Sequence, residues 1–544
     1  MPIRVGMVSL GCSKNLVDSE RMLAKLRAHG YQLVTEPGEA DVAIVNTCGF
    51  IQSAKEEAIE TILELGALKK DGTLKKIILT GCLTERYQEE AAELFTEADA
   101  VIGIGNNRDI VDILDHVLAG ERVVQFGKKS DAELKGDRII TTLPFFAYLK
   151  IAEGCSNNCT YCAIPAIRGP YRSVPMEDVL DEVVGLFPSE LIHIGGDECP
   201  KVRWEKCPRC QARIRQLGLR DKDGYTAEHY LQGYVTDRIG KYLAERGRRI
   251  IGWDEILEGQ APSDAIVMSW RGSAGGIKAA KLGHDVIMTP NSHFYFDYYQ
   301  SPDADAEPFG IGGCVTIDKV YSFDPMADLT PGQQAHILGV QANLWTEYIA
   351  SDDHLEYMLL PRLAALSEVQ WCQPGVKDWV RFRDGFRMDR IYSQMGYVFA
   401  KHIFGIKGSY AVDPQKGAVV MTLTTQGDVP IHYTLDGSEP TAASPRYTGP
   451  VEIGKSARFR ATALREGGEN ASYSREFAFS KSTGRPAVLN TKPNDSYTFE
   501  GASLLVDGYH SRPVFTSGAW LGYLDEPLDV TIDMGGEQSY RSVE

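Results

Sequence analysis

Short apolar runs alternate with amphipathic stretches through the first 125 residues. The runs Arg4–Leu10, Asp41–Asn46, Lys76–Thr80 and Ala98–Ile102 are bounded by turn residues and predict strands. Between them NLVDSERMLAKLRAHG and SAKEEAIETILELGALKK carry apolar residues at helical spacing. This alternation predicts an open parallel sheet with helices on both faces. Another apolar run, Phe145–Ile151, predicts a further strand, and MEDVLDEVVGLFPSE a helix.

A second repeating pattern begins at ELIHIGGDECPKVRW. Strand candidates Arg249–Gly252, Ala265–Ser269, Asp285–Met288 and Ile337–Leu344 run into Trp253, Trp270, Thr289 and Trp345. Helical stretches such as TAEHYLQGYVTDRIGKYLAERG and HLEYMLLPRLAALSEVQW intervene. Strand, functional-looking side chain and helix recur about five times, as in part of a TIM-type (β/α) barrel. From about residue 405 the helical patterning stops. Short strands with Asp-Gly and Gly-Pro turns, in GAVVMTLTTQGDVPIHYTLDGSEP and ARFRATALREGG, predict a β-sandwich. The expected class is thus multi-domain α/β with C-terminal β-sandwich domains.

Length and charge narrow the function. At 544 residues the chain needs three or four domains. Its 57 basic and 74 acidic residues give a net charge of −17, which argues against broad nucleic-acid binding. No run approaches the roughly 18 apolar residues of a membrane span, and MPIRVGMVSLGC lacks the features of a secretory leader. Cytoplasmic residence is the expectation, and eleven cysteines there are not a disulfide framework.

Six of those cysteines lie before residue 163 in two groups. Cys12, Cys48 and Cys82 each follow a strand, in MVSLGC, AIVNTC and IILTGC. Parallel strands share one carboxyl edge, so three thiolates there can hold three irons of a [4Fe–4S] cluster. A cysteine near a strand end can also be simple packing, but three at equivalent places favour the cluster. Cys155, Cys159 and Cys162 form a C-x3-C-x2-C run in which one loop can wrap three irons. A structural zinc site would want a fourth ligand, and none follows nearby.

The motifs GCSKNLVDSE, NTCGF and EGCSNNCTYCAIPAIRGPYRS resemble the radical-SAM methylthiotransferases. The likeness is greatest to the RimO-like branch, which modifies an aspartate of a small-subunit ribosomal protein. It implies that Cys155, Cys159 and Cys162 hold the cluster that reductively cleaves S-adenosyl-L-methionine. It also implies that Cys12, Cys48 and Cys82 hold an auxiliary cluster involved in sulfur delivery. The family's remaining barrel and its small RNA-binding-type β domain are not visible in this sequence.

The second pattern carries acid chemistry. An Asp–Glu pair or a Trp at a strand end is ordinary on its own. Three Trp, one Tyr and acids at successive strand ends together favour a carbohydrate pocket. HIGGDE, GWDEI, MSWRG, SHFYFDYYQ and NLWTEY resemble family 20 glycoside hydrolases, the β-N-acetylhexosaminidases. The resemblance implies a substrate-assisted, retaining mechanism on terminal N-acetylhexosamines of glycans. By it, Glu198 is the general acid, Asp197 holds the acetamido N–H, and Tyr295 bonds the acetamido oxygen. Trp253, Trp270 and Trp345 box the sugar, and Asp297 and Glu347 bind hydroxyls. The hydrolase part needs no cofactor, and its resemblance implies an exported parent. About three strand–helix units that precede HIGGDE in that family are replaced here by methylthiotransferase-like sequence, and five strands alone cannot close an eight-stranded barrel.

Gly195–Gly196–Asp197–Glu198 also resembles the GGE-type motif of a radical-SAM barrel, so one continuous radical-SAM protein is the rival. CPKVRW and the downstream Trp motifs favour the hydrolase. Cys207 and Cys210, in C-P-R-C, suit zinc or redox chemistry, although a structural loop feature is preferred.

The expected domains are residues 1–125 (methylthiotransferase N-terminal), 140–176 (start of the radical-SAM domain), 177–400 (hexosaminidase barrel), 405–481 (chitobiase-type β-sandwich) and 484–544 (truncated discoidin or galactose-binding-like). The join is expected around Ser173–Phe187. The expected function is a hexosaminidase-type glycosidase fused to an iron–sulfur methylthiotransferase fragment, both impaired. The alternatives are an iron–sulfur, S-adenosylmethionine-binding methylthiotransferase and a non-catalytic relic.

Overall fold

A computed structural model describes residues 2–425, 429–464, 470–511 and 517–542. The chain divides into two compact units, Met1–Ser189 and Glu190–Glu544.

The first unit is built on strands β1 (Arg4–Ser9), β2 (Gln32–Val34), β3 (Val42–Thr47), β4 (Lys76–Gly81), β5 (Ala100–Ile102) and β6 (Val123–Gln125). They form one parallel sheet in the order β2-β1-β3-β4-β5-β6. Helices α1 (Ser13–Ala28), α2 (Gln52–Lys70), α3 (Cys82–Leu94) and α4 (Ile110–Leu118) intervene. Every residue of β3 is buried, as a strand covered on both faces requires. Its alternate residues feed two cores. Ala43 and Val45 join Ile77, Leu79, Ala58, Ile62 and Leu65 on one face. Val42 and Ile44 join Ile78, Met22, Leu26, Ile113 and Leu114 on the other.

The expected strand Phe145–Ile151 is not formed. Phe145, Phe146, Leu149 and Ile151 are exposed on irregular backbone. Only Ala152–Glu153 (β7) pairs, antiparallel to Arg172–Ser173 (β8). An apolar run becomes a strand where neighbours supply a ladder, and here, among the described residues, one backbone bond, Val174 N–H to Ile151 C=O, joins the run to the hairpin's return. Helices α5 (Ile164–Arg168) and α6 (Met176–Leu186) complete the unit.

The second unit opens with β9 (Leu191–His193), β10 (Arg249–Trp253), β11 (Ile266–Ser269), β12 (Val286–Met288) and β13 (Ile337–Val340). All neighbours are parallel, in the order β13-β12-β11-β10-β9, and no barrel closes among the described residues. The strand expected to reach Leu344 stops at Val340. The helix expected over HLEYMLLPRLAALSEVQW is two, Asp352–Leu359 and Arg362–Trp371, because Pro361 cannot donate within a helix. Buried Arg362 donates to the carbonyls of Phe296 at 2.6 Å, Tyr298 at 2.9 Å and Val315 at 3.0 Å, fixing the segment that carries Asp297.

Two antiparallel sheets follow. β14 (Ile406–Asp413), β15 (Ala418–Thr425) and β17 (Val451–Ile453) make one, in the order β14-β15-β17; β16 (Ile431–Thr434), β18 (Ala457–Ala463) and β19 (Ala471–Phe477) make the other, in the order β16-β18-β19. Val419, Met421, Phe459, Ala461 and Phe477 share their core. Residues 465–469 of the expected strand run lie outside the described residues. In the expected truncated domain after residue 484, strands β20 (Ala487–Leu489) and β21 (Val530–Ile532) pair with each other alone among the described residues. Val506 is the sole buried hydrophobic side chain described there, too little to hold two sheets together.

Candidate functional site

Both parallel sheets deliver their chemistry from the carboxyl ends of their strands, the edge where open α/β sheets bind ligands. In the first unit β1 leads to Cys12, β3 to Cys48 and β4 to Cys82. Cys48 and Cys82 are buried and Cys12 is exposed. Glycines make the convergence possible. Gly11 has φ +86, and a Cβ there would stand 2.7 Å from the Cys48 sulfur. A Cβ on Gly49 would stand 2.7 Å from Leu83 Cα. The space that any other residue would fill is taken at Gly11 by the Cys48 side chain and at Gly49 by the Cys82–Leu83 backbone.

Burial pushes the Cys82 thiol up, with Cys12 and Cys48 adding to the rise, while the Arg168 guanidinium draws it down. Arg168 Nη2 lies 3.5 Å from Cys82 Sγ, and the thiol lies 3.6 Å from Asn15 Oδ1. Among the described residues no three His, Cys, Asp or Glu side chains gather as they would around a single metal ion. A cube of four irons makes a different demand, because each thiolate binds its own corner. Three thiols on glycine-relieved backbone suit that demand.

The second cysteine group lies on the loop between β7 and α5. Cys155 and Cys162 are half-buried and Cys159 is exposed. Cys155 N–H donates to Gly169 C=O at 3.0 Å, and Cys162 N–H to Cys159 C=O at 3.0 Å. Behind the loop sits a buried ion network. Arg168 pairs with Asp18 at 2.7 Å and Glu153 at 3.1 Å, while Lys150 pairs with Asp18 at 2.6 Å and also meets Glu153. Burial alone would raise Asp18 and Glu153, but the two cations hold both carboxyls below their ordinary values.

At the second sheet the ring residues assemble. His193 meets Trp253 edge-on at 5.0 Å, and Trp253 lies 6.4 Å from Trp345. Trp345 is 6.3 Å from Tyr295, which stacks on Trp270 at 6.2 Å. Five rings thus run in series across the strand ends. Burial pushes Tyr295 up to about 12, moderated by donation from Trp345 and Asn343. Asp297, two residues on, is buried, and burial raises it to about 6. Among the described residues its Oδ1 has no hydrogen-bond partner. Glu347 is exposed, though its charge contributes to the Asp297 shift.

Asp197 and Glu198 follow β9 on a turn shaped by Gly195 (φ +71) and Gly196 (φ +99), and both acids are exposed. Glu198 itself has φ +45. The turn is held against the ring series, since Trp253 N–H donates to Gly195 C=O at 2.9 Å. Burial lowers the His193 imidazole, with the Asp197 charge opposing.

Two participants escape the sequence reading. His193 lies inside the HIGGDE motif, and Glu255 belongs to the second Asp–Glu pair, in GWDEI. Glu255 accepts from Trp270 Nε1 at 3.0 and 3.2 Å, and burial raises its carboxyl. Asp254 pairs with Arg271 at 2.9 Å. A repeated Asp–Glu at consecutive strand ends was the signal available.

Comparison with known proteins divides the chain along the same lines. Residues 4–103 match an uncharacterized protein family, UPF0004; residues 166–374 match the catalytic domain of glycosyl hydrolase family 20; residues 409–475 match the chitobiase/β-hexosaminidase C-terminal domain. A Thermoanaerobacter ribosomal protein uS12 methylthiotransferase RimO is 49% identical over 197 residues, 36% of this chain. A Porphyromonas gingivalis β-hexosaminidase is 40% identical over 306 residues, 54% of this chain. The chain joins a segment similar to the methylthiotransferases to one similar to the β-hexosaminidases. It spans 45% of the length of that methylthiotransferase and 38% of that hexosaminidase. A solved Vibrio harveyi exo-β-N-acetylglucosaminidase aligns over 74% of this chain and 59% of its own, at 20% identity and a TM-score of 0.37. No described helix is long and apolar enough to cross a membrane.

Proposed function

We propose that residues 177–400 form a β-N-acetylhexosaminidase site of reduced activity, acting on terminal N-acetylhexosamines of glycans. The observation that carries this reading is the ring series from His193 to Trp270 beside the Asp197–Glu198 turn. Indole faces cover the apolar face of a sugar ring while carboxylates and hydroxyls bind its polar edge. Glu198 gives its proton to the leaving glycosidic oxygen. The substrate's acetamido oxygen closes on the anomeric carbon, Asp197 holds the acetamido N–H, and Tyr295 donates to the acetamido oxygen. Asp297 and Glu347 hold hydroxyls. Reduced turnover follows from the exposure of both acids, since water reaches the turn that should exclude it.

Release of chromophore from an aryl β-N-acetylglucosaminide, repeated with Glu198→Gln, tests the reading. Loss of release in the variant is expected; unchanged release overturns the acid assignment. Absence of release in the wild type, together with retained binding of N-acetylglucosamine by saturation-transfer NMR, leaves the relic.

The convergence of Cys12, Cys48 and Cys82 supports a second reading for residues 1–176: a [4Fe–4S]-binding methylthiotransferase segment directed to a ribosomal protein. Those three residues hold one cluster and Cys155, Cys159 and Cys162 the other. Bound there with S-adenosyl-L-methionine, the clusters supply reductive cleavage and sulfur. The chain's own part is to present the thiols on glycine-relieved backbone and to neutralise charge behind them. Reduced thiols favour the cytoplasm. Anaerobic reconstitution followed by iron and sulfide counts tests it, and iron-free protein overturns it. The domain boundaries of the sequence reading belong to this proposal.

A further inference from the structure

Arg168 stands apart from the other cations of the first unit. Its side chain is 5% exposed and sits at the end of the short helix that follows the second cysteine loop. From there it reaches a sulfur of the other cysteine group: Nη2 is 3.5 Å from Cys82 Sγ and also bonds Asn15 Oδ1. Its other nitrogen is committed to Asp18 at 2.7 Å and Glu153 at 3.1 Å. The planar fork is therefore fixed on three sides and can present one N–H to the thiolate. Lys150 shares Asp18 and Glu153 with Arg168, yet among the described residues no hydrogen bond joins it to a sulfur.

We propose that Arg168 is a positioning residue that holds the Cys82 thiolate by a charge-assisted hydrogen bond and sets the reduction potential of a cluster bound by Cys12, Cys48 and Cys82. This rests on the cluster-binding reading of the first unit. Reduction adds an electron to the cluster, and a cation donating to a ligating sulfur stabilises that added charge more than the oxidised form. Arg168 thus raises the potential. Its N–H direction matters as well as its charge, because Asn15, Asp18 and Glu153 fix where the donor points.

The experiment uses the full chain with Cys155, Cys159 and Cys162 replaced by Ala, so that the remaining iron belongs to the first group. After anaerobic reconstitution with ferrous iron and sulfide, iron per chain is counted. The midpoint potential is then read by electron paramagnetic resonance in a dye-mediated titration. Arg168→Met lowers the potential most, Arg168→Lys lowers it less, and Lys150→Met, which removes a charge without removing a donor to sulfur, moves it much less than Arg168→Met. Where Arg168→Met loses iron by leaving Asp18 and Glu153 unpaired, Arg168→Lys against Lys150→Met carries the comparison.

Iron retained with an unmoved potential in both Arg168 variants overturns the role of Arg168 alone. An equal shift in Lys150→Met overturns it too, by making the effect one of general charge. An iron-free parent overturns the cluster reading, and Arg168's role with it.

Discussion

The two parallel sheets put their candidate site residues at the same kind of place and enclose them differently. In the first, a six-stranded sheet is covered on both faces, and Cys48 and Cys82 are buried against backbone that glycines allow to converge. In the second, a five-stranded sheet carries a buried cluster of Ile251 from β10 with Ile266 and Met268 from β11, and Asp197 and Glu198 face solvent. Motif and enclosure are separable: a strand end can carry the right residues without the layer that removes water from them. Catalytic power depends on that layer, because fixed dipoles and excluded water are what strengthen charge interactions at a site.

The strongest way to break the comparison is at the thiols. Cys48→Ala in the chain lacking the second cysteine group should abolish iron retention, whereas Cys207→Ala should leave it unchanged; equal iron in both would remove the distinction drawn for the first sheet. At the second sheet, Glu198→Gln should lower turnover of an aryl β-N-acetylglucosaminide by about 100-fold, in the range for a lost general acid. Glu347→Gln should lower kcat/KM by about 10-fold through weaker substrate binding, seen as a rise in KM with turnover kept.

The cores should differ too. Ile62→Ala, inside a large packed cluster, should cost about 4 kcal/mol, and Ile266→Ala about 2 kcal/mol, because a small cluster collapses more readily around the gap. Denaturant unfolding followed separately for the two units reads this difference.

The smallest effect is on pH, and its sign is opposite in the two units. Asp18 and Glu153 are held below their ordinary values, so their stabilisation is present above about pH 4 and is lost as pH falls. In the second unit burial raises Asp507 to about 7, although Tyr410 donates to it at 3.1 Å. That carboxyl keeps its proton in the folded state, so stability falls as pH rises from about 4 to 7. Asp507→Asn should therefore stabilise by about 1–2 kcal/mol at pH 8 and by nothing measurable at pH 4. Thermal melts at the two pH values decide it.

Much of this was legible in the chain. β3 reads as a strand because Val42–Val45 is an unbroken apolar run, and the cysteine after it marks the functional edge. The Trp positions after β10 and β11 were readable for the same reason. What escaped depends on neighbours. Phe145–Ile151 has a strand's composition, but pairing is a property of two segments. Helical spacing of apolar residues continues on both sides of Pro361, so the break there depends on the proline's missing N–H and not on the pattern. His193 and Glu255 gain their roles only when Trp253 and Trp270 are brought beside them. The exposure of Asp197 and Glu198 is likewise a fact about what surrounds the turn.

The ring series has an optical consequence. Three of the seven tryptophans, Trp253, Trp270 and Trp345, belong to it, and Trp345 is 43% exposed. Indoles and a phenol this close exchange excitation and couple their transition dipoles. A sugar settling over them should shift the emission maximum to shorter wavelength and alter the near-ultraviolet circular dichroism. The protein thus carries its own spectroscopic reporter of occupancy, readable even where no bond is cleaved.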